Sequence, residues 1–372
     1  MQNKNILLVG EWYSANLGDQ ILCSCVQNII LKNSKRVNTI KFDTTYGNGM
    51  SWKKKISVLP HRIRYKFNKD VKQRTDDYNR LKCNWIKSDL RSLNENIDII
   101  IVCGGQIFLD YFVDNIRLIV NYAHLNSIPI IWNAVGAGKC TDKTIGIFKE
   151  CLESKLNKTI TVRDNLPFFV NKLNVIPKLI PDTAITVSDF ITVDKNNENL
   201  IGLGVMNPND FKDFNIPSHV IEFFWINLTK KLDENNINWE FFTNGAASDI
   251  DFLQRLLTKL DNTKIKVAPR PRNPIDLTTI INKYNKIVSF RLHSHIIAYS
   301  YRIPSLGLKW DYKVSDFFKM TQNEENVITL DNINIQNVVT FIKKGNSNFE
   351  YLNNLKKEIT DSIISNLNRY LA

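Results

Sequence analysis

Short apolar runs alternate along this chain with amphipathic stretches. In the first half the runs are NILLVG (5–10), IDIIIVCGG (97–105), PIIWNAV (129–135) and TITV (159–162), with a weaker one at 37–42. In the second half they are LIGLGVM (200–206), WEFFT (239–243), 264–267, IVSF (287–290) and PSLGL (304–308). Runs without polar alternation predict strands buried on both faces, as in a parallel sheet. The stretches 21–31, 108–125, 142–156, 166–173, 218–235, 249–260, 274–283 and 334–344 predict helices, and a helical pattern restarts at Ile296. Strand and helix alternate through both halves. The predicted fold class is therefore α/β, with two Rossmann-like doubly wound domains facing a cleft. The polar, Asn-rich stretch Asp189 to Asn199 is the linker candidate. The expected division is 1–190 for an N-terminal domain, 200–345 for a C-terminal domain, and 346–372 for a closing helix.

Composition narrows the classes. A chain of 372 residues is too long for one comfortable core. It has no long uncharged apolar run, so no membrane span is expected. The start, MQNKNILLVG, lacks an adequate signal-peptide core, so a cytoplasmic location is expected. The six cysteines form no CxxC pair and read as reduced thiols. HExxH, GxSxG, GxGxxG and Walker A patterns are absent, which points away from zinc proteases, serine hydrolases and common nucleotide fingerprints. No metal is expected.

The formal charge is +12, and between Lys53 and Arg74 nine of 22 residues are Lys or Arg. A solvated basic face is one reading. Peripheral adhesion to an anionic membrane is another, at about 1 kcal/mol per basic residue near the surface. No nucleic-acid module accompanies the charge, so no nucleic-acid partner is expected.

The most informative stretch is IVSFRLHSHIIAYSYRIPSLGLKWDYK (287–313). Ligands bind beyond the carboxyl ends of strands in open α/β sheets. If the strand continues, Arg291 and His293 share one side of it. A guanidinium there grips a phosphate or carboxylate, and an imidazole exchanges a proton near neutral pH. The alternative is an ion-pairing arginine and a satisfied loop histidine. Four turns follow strands in the first half: Gly10 to Asp19, Gly104-Gly105-Gln106, Gly136-Ala137-Gly138 and Arg163-Asp164. Glycines there meet a turn requirement or allow close backbone approach to a ligand. Asp19, after Asn16 and Gly18, caps a helix or meets substrate. Asp182 in LIPDT initiates a turn. Arg270 and Arg272 are loop charges or reach the cleft, and Lys309 or Lys313 past PSLGL supplies a cation to an anion.

These pieces together resemble the polysaccharide pyruvyl transferase family. The resemblance runs over about residues 5–320, through NLGDQ (16–20), VCGG (102–105), NAVGAG (133–138), VRDN (162–165), IPDTAI (180–185) and SFRLHSHIIAYSYRIPSLGLKWDYK (289–313). It implies two Rossmann-type domains in a glycosyltransferase-B-like arrangement, the first on the acceptor side and the second on the donor side. It implies transfer of pyruvate from phosphoenolpyruvate to a sugar of a cell-surface polysaccharide or its precursor, as a ketal. Phosphoenolpyruvate is then a donor substrate, and no cofactor is needed. The family's donor-binding arginine and histidine map onto Arg291 and His293, and a further arginine onto Arg163. Under this reading His293 is the acid or stabilises departing phosphate, and Asp19 is the base to the acceptor. Asn16, Gly18, Gly104, Gly105, Gly136 and Lys313 line substrate. Where a third glycine is common, this chain has Gln106. The expected partners are phosphoenolpyruvate, a glycan or lipid-linked saccharide, and the inner face of a membrane; the oligomeric state stays open. A sugar-nucleotide glycosyltransferase on the same architecture and a non-catalytic glycan-binding protein are the competing readings.

Overall fold

The computed structural model describes residues 3–49, 51–57, 71–93, 96–194, 199–210, 216–260, 266–329 and 333–371, without the side chains of 71–76. Two compact units divide the chain. Unit 1 comprises Met1–Tyr13, Val26–Ile180 and Thr360–Ala372; unit 2 comprises Ser14–Cys25 and Pro181–Ile359.

Unit 1 is built on a parallel sheet. Its strands are β1 (Lys4–Gly10), β2 (Val37–Asp43), β3 (Ile99–Val102), β4 (Gly105–Phe108), β5 (Ile130–Ala137), β6 (Asn157–Val162) and β7 (Lys178–Leu179). The order is β2-β1-β3-β5-β6-β7, with β4 against β5. All four residues of β3 and all eight of β5 are buried, as their unbroken apolar character predicts. The connections reverse direction between β1 and β3, the place where such sheets open a crevice at their carboxyl edge.

One element of this unit departs from the sequence pattern. A helix is predicted from Phe108, but Phe108 ends β4 and the helix runs Val113–Leu125. Gly104 and Gly105 have φ of 108° and 86°, which turns the chain between β3 and β4. Phe108 then lies 4.6 Å from Phe148, 5.1 Å from Phe169 and 5.5 Å from Trp132, ring centre to ring centre. Burying one such ring contributes roughly 1.5–3 kcal/mol, so tertiary packing decides the conformation here.

Unit 2 repeats the architecture with β8 (Ile201–Gly204), β9 (Trp239–Phe242), β10 (Lys286–Ser289), β11 (Ser305–Lys309) and β12 (Val327–Thr329). The order is β12-β11-β10-β8-β9, all parallel. Its switch point lies between β8 and β10. The strand expected at 264–267 falls partly outside the described residues; Val267 makes an isolated parallel bridge to Phe241.

One further expectation changes in part. The basic segment lies outside the described residues from 58 to 70. Where it is described, Lys54 turns inward, and its Nζ meets Tyr46 O and Asp89 Oδ2 at 2.5 Å each and Gly49 O at 2.9 Å. That lysine is no part of a solvated basic face. Among the described residues no helix is long and apolar enough to cross a membrane.

Candidate functional site

Strand β10 ends at Ser289, one residue earlier than the apolar run suggests. Phe290 is fully buried, 5.6 Å from Trp225 and 6.2 Å from Phe224, and its carbonyl accepts from Trp310 Nε1 at 2.8 Å. That anchor fixes the backbone just before Arg291. Arg291 is then the N-cap of a helix, Leu292–Ser300, with Ser289 Oγ accepting its N–H at 3.1 Å. So Arg291 and His293 do not share a strand face. One opens the helix and the other stands in its first turn, because the buried Ser289–Phe290 pair ends the strand early.

Arg291 faces carboxylates of its own unit. Its Nε and Nη2 grip Asp249 at 2.9 and 2.6 Å, and Nη2 also reaches Asp210 at 2.9 Å. Asp249 is wholly buried in the first turn of the helix Ala247–Leu257, and its Oδ1 also accepts from Asn207 N at 2.9 Å. Burial works against the charge on Arg291, but Asp249, Asp210 and Asp19 outweigh it and push its pKa up. The guanidinium is therefore permanently charged and held by two parallel bonds. Its side chain keeps 15% exposure. Among the described residues Nη1 donates no hydrogen bond.

His293 is buried between two carboxylates: Nδ1 lies 3.8 Å from Asp19 Oδ1, and Nε2 lies 3.9 Å from Asp182 Oδ2. Each carboxylate is tied down by its other oxygen. Asp19 Oδ2 accepts from Asn16 Nδ2 at 3.0 Å and Ser14 Oγ at 3.2 Å. Asp182 Oδ1 accepts from Ala184 N at 2.8 Å, capping the 3-10 helix Thr183–Asp189. The turn reading of Asp182 thus holds, and the second oxygen adds what spacing does not reveal. Carboxylates near both edges of one imidazole favour an imidazolium when it forms.

Gly18 explains its own place. A Cβ built there would lie 2.2–2.4 Å from Cγ, Cβ and Nδ1 of His293. The helix Leu17–Asn33 starts there, earlier than predicted, so Gly18 and Asp19 sit in its first turn. Asn244 completes the frame: its carbonyl accepts from Leu17 N at 3.1 Å and its Oδ1 from Ser294 Oγ at 2.9 Å.

Lys313 lies 3.3 Å from Asp311 Oδ2, with its Nζ 4.5 Å from the centre of the Trp310 ring. It also lowers the pKa of Asp210, against the larger upward push of burial. Arg270 is tied to Gly245 O at 3.2 and 2.9 Å. Its neighbour Arg272 stays largely exposed. His295, two residues past His293, is structural: burial pushes its pKa down to about 4, its Nε2 bonds Ser289 O at 3.0 Å, and its ring meets Phe318 edge-on.

The remaining predicted residues lie in unit 1. Arg163 Nε bonds Asp164 Oδ2 at 3.0 Å, and both side chains are buried. Gly136 makes room for that carboxylate, since a Cβ would stand 2.8 Å from both of its oxygens. Gly105 borders open space, with nothing within 4 Å of a built Cβ. Gln106, where the resemblance favours glycine, bonds Ala137 O at 3.3 Å. Strand β5 kinks beside this group: Ala134 has φ of 47°, and the pairing with β6 slips between Trp132 and Val135. Among the described residues no three His, Cys, Asp or Glu side chains group as metal ligands do.

Comparison with known proteins bears on the fold and the family. The fold is shared with a putative UDP-N-acetylglucosamine 2-epimerase from Listeria monocytogenes, at TM-score 0.63 and 12% identity over 98% of this chain and 95% of that one. It is shared with UDP-GlcNAc 2-epimerase from Neisseria meningitidis bound to UDP-GlcNAc, at TM-score 0.55 and 13% identity over 98% and 100%. An α,α-trehalose-phosphate synthase from Burkholderia xenovorans matches at TM-score 0.55 and 9% identity over the whole of both chains. The architecture is the glycosyltransferase-B-like α/β fold. Among curated proteins no sequence matches. The family model for polysaccharide pyruvyl transferase matches residues 16–312, which spans both Asp19 and His293. With that match, the chain belongs to the polysaccharide pyruvyl transferase family and is a transferase.

Proposed function

We propose that this protein moves pyruvate from phosphoenolpyruvate to two hydroxyls of a saccharide, forming a ketal. The observation that carries the reading is His293 set between Asp19 and Asp182, one turn of chain from the charged Arg291 at the switch point of unit 2. The imidazolium gives its proton to the methylene carbon of the donor, making a methyl group and an oxocarbenium-like centre. A saccharide hydroxyl adds to that centre and returns its proton to the ring. Phosphate then leaves and a second hydroxyl closes the ketal, its proton leaving with the phosphate. Asp19 and Asp182 act as positioning residues that support the charged ring, which replaces a free-base role for Asp19. Arg291 offers the donor its Nη1 edge while Asp249 holds the other.

Phosphoenolpyruvate should raise the melting temperature and release phosphate only with a saccharide acceptor. His293→Asn should lower phosphate release by roughly 10²- to 10⁴-fold while keeping the fold. The sugar-nucleotide reading draws on the UDP-GlcNAc-bound neighbour of the same fold. A melting shift with UDP and none with phosphoenolpyruvate would replace the first reading with the second.

A further inference from the structure

Unit 1 carries a cavity of about 440 Å³ lined by Tyr13, Asn48, Gly49, Ser51, Lys54 and Asp89. Its size falls in the range of roughly 300–1,000 Å³ common to small-molecule sites. Tyr13 follows β1, and Asn48, Gly49 and Ser51 follow β2, so the cavity opens at the carboxyl edge of the sheet. None of its lining belongs to the residues around His293 or Arg163.

The lining is built rather than incidental. Lys54 and Asp89 form an ion pair whose side chains are 10% and 15% exposed. Asn48 N donates to the same Asp89 oxygen at 2.7 Å. The loop bends around that carboxylate: Gly47 has φ of 57°, and a Cβ there would stand 2.2 Å from Asp89 Oδ2. Gly49 has φ of 116° and lies under the Tyr13 hydroxyl, 3.2 Å from a built Cβ. Asp43 pins the same loop, accepting from Tyr13 N at 2.9 Å and from Thr45 N and Tyr46 N at 2.8 Å.

Charge selects the occupant. Lys54 already meets two carbonyls and a carboxylate, so it does not call for an anion. Among the described residues Oδ1 of Asp89 accepts no hydrogen bond. The lining thus brings together a carboxylate, a serine, an asparagine and Tyr13, which is 47% exposed. An acceptor oxygen suits a hydroxyl donor, and a phenol ring suits a flat apolar face with polar edges. We infer that this cavity binds an uncharged pyranose, with a ring hydroxyl donating to Asp89 Oδ1 and a sugar face on Tyr13. That the pyranose belongs to the saccharide acceptor rests on the function proposed above.

Saturation-transfer NMR on the full chain, with methyl β-D-galactopyranoside and methyl β-D-glucopyranoside as probes, tests the cavity. The wild type should transfer saturation to at least one probe. Tyr13→Ala, which leaves the backbone bond to Asp43 in place, and Asp89→Asn should each weaken that binding by about tenfold or more. Transfer to neither probe, or transfer unchanged in Tyr13→Ala, overturns the site. The melting shift with phosphoenolpyruvate, read on the same samples, keeps the two ideas apart. Sugar binding without that shift overturns the donor chemistry and leaves the cavity standing. Phosphate release to the bound sugar that is unaffected by Tyr13→Ala overturns the acceptor assignment.

Discussion

Two glycines show how single residues tie distant motifs together. Gly18 makes room for the ring of His293, and Gly136 makes room for the carboxylate that holds Arg163. Neither glycine has a positive φ, so space rather than backbone freedom selects it. Gly18→Ala should therefore fold but push the imidazole off its two carboxylates. Phosphate release should fall about a hundredfold or more, with little change in circular dichroism. Activity close to wild type would show that His293 does not depend on that position. Asp249→Asn should cost about 3 kcal/mol in chemical denaturation, because it removes the buried carboxylate and leaves the guanidinium only the more exposed Asp210 as a paired charge. The residue types in RLHS were readable in the sequence, but their neighbours were not. Asp249 looks like an ordinary first-turn acid, and Asp182 like a turn former. Nothing in the spacing separates His293 from His295, yet only the first has carboxylates at both edges.

Helix and strand boundaries follow the same division between pattern and packing. The continuous apolar strands announced themselves, since burial on both faces leaves no room for polar residues. Strand β4 and the first turn of Leu292–Ser300 did not, because both are polar or glycine-bearing stretches stabilised by distant partners. The helix Val71–Arg91 hides a further device. Tyr78, Lys82, Trp85 and Asp89 fall on one stripe at helical spacing. Lys82 is buried, its Nζ lies 3.7 Å from the centre of the Tyr111 ring and 4.9 Å from that of Tyr78, and it bonds no described acceptor. Burial pulls its pKa down from 10.5 to about 8. The unfolded chain keeps that proton to higher pH than the folded one, so this lysine by itself adds stability as pH goes from about 8 toward 10, a contribution read as the difference between wild type and a variant without the amine. Lys82→Met should lose this contribution and be more stable at pH 7, by on the order of 1–2 kcal/mol once the lost contacts to the Tyr111 and Tyr78 rings are set against the relieved charge. The thiols of Cys25, Cys140 and Cys151, which burial pushes up from 9.0, oppose it from about pH 9 in both proteins, and Tyr46 and Tyr111 oppose it at higher pH. A wild-type slope equal to that of the variant would refute a neutralising Lys82.

At the scale of the molecule, the chain passes back and forth between its units. The stretch Ser14–Cys25 leaves unit 1 to join unit 2, and Thr360–Ala372 returns at the end. Neither crossing is legible in the residue pattern, because the switches after Cys25 and before Thr360 fall inside continuous helices. In unit 1, Asn366 Oδ1 accepts from Thr159 Oγ1 at 3.1 Å, and Tyr370 donates to Lys158 O at 3.0 Å. Ile363 and Leu367 are buried beside them. Truncation after Ile359 should lower the unfolding free energy by about 3–6 kcal/mol, the worth of two buried aliphatic side chains. An unchanged denaturation midpoint would show that the tail only rests on the surface.

The early crossing also constrains how such a protein can be recombined. Splicing the second half of one relative onto the first half of another, at the linker, would pair a histidine from one lineage with a glycine and a carboxylate from another. A chimera meant to keep its proton donor in register must import the twelve residues of Ser14–Cys25 as well.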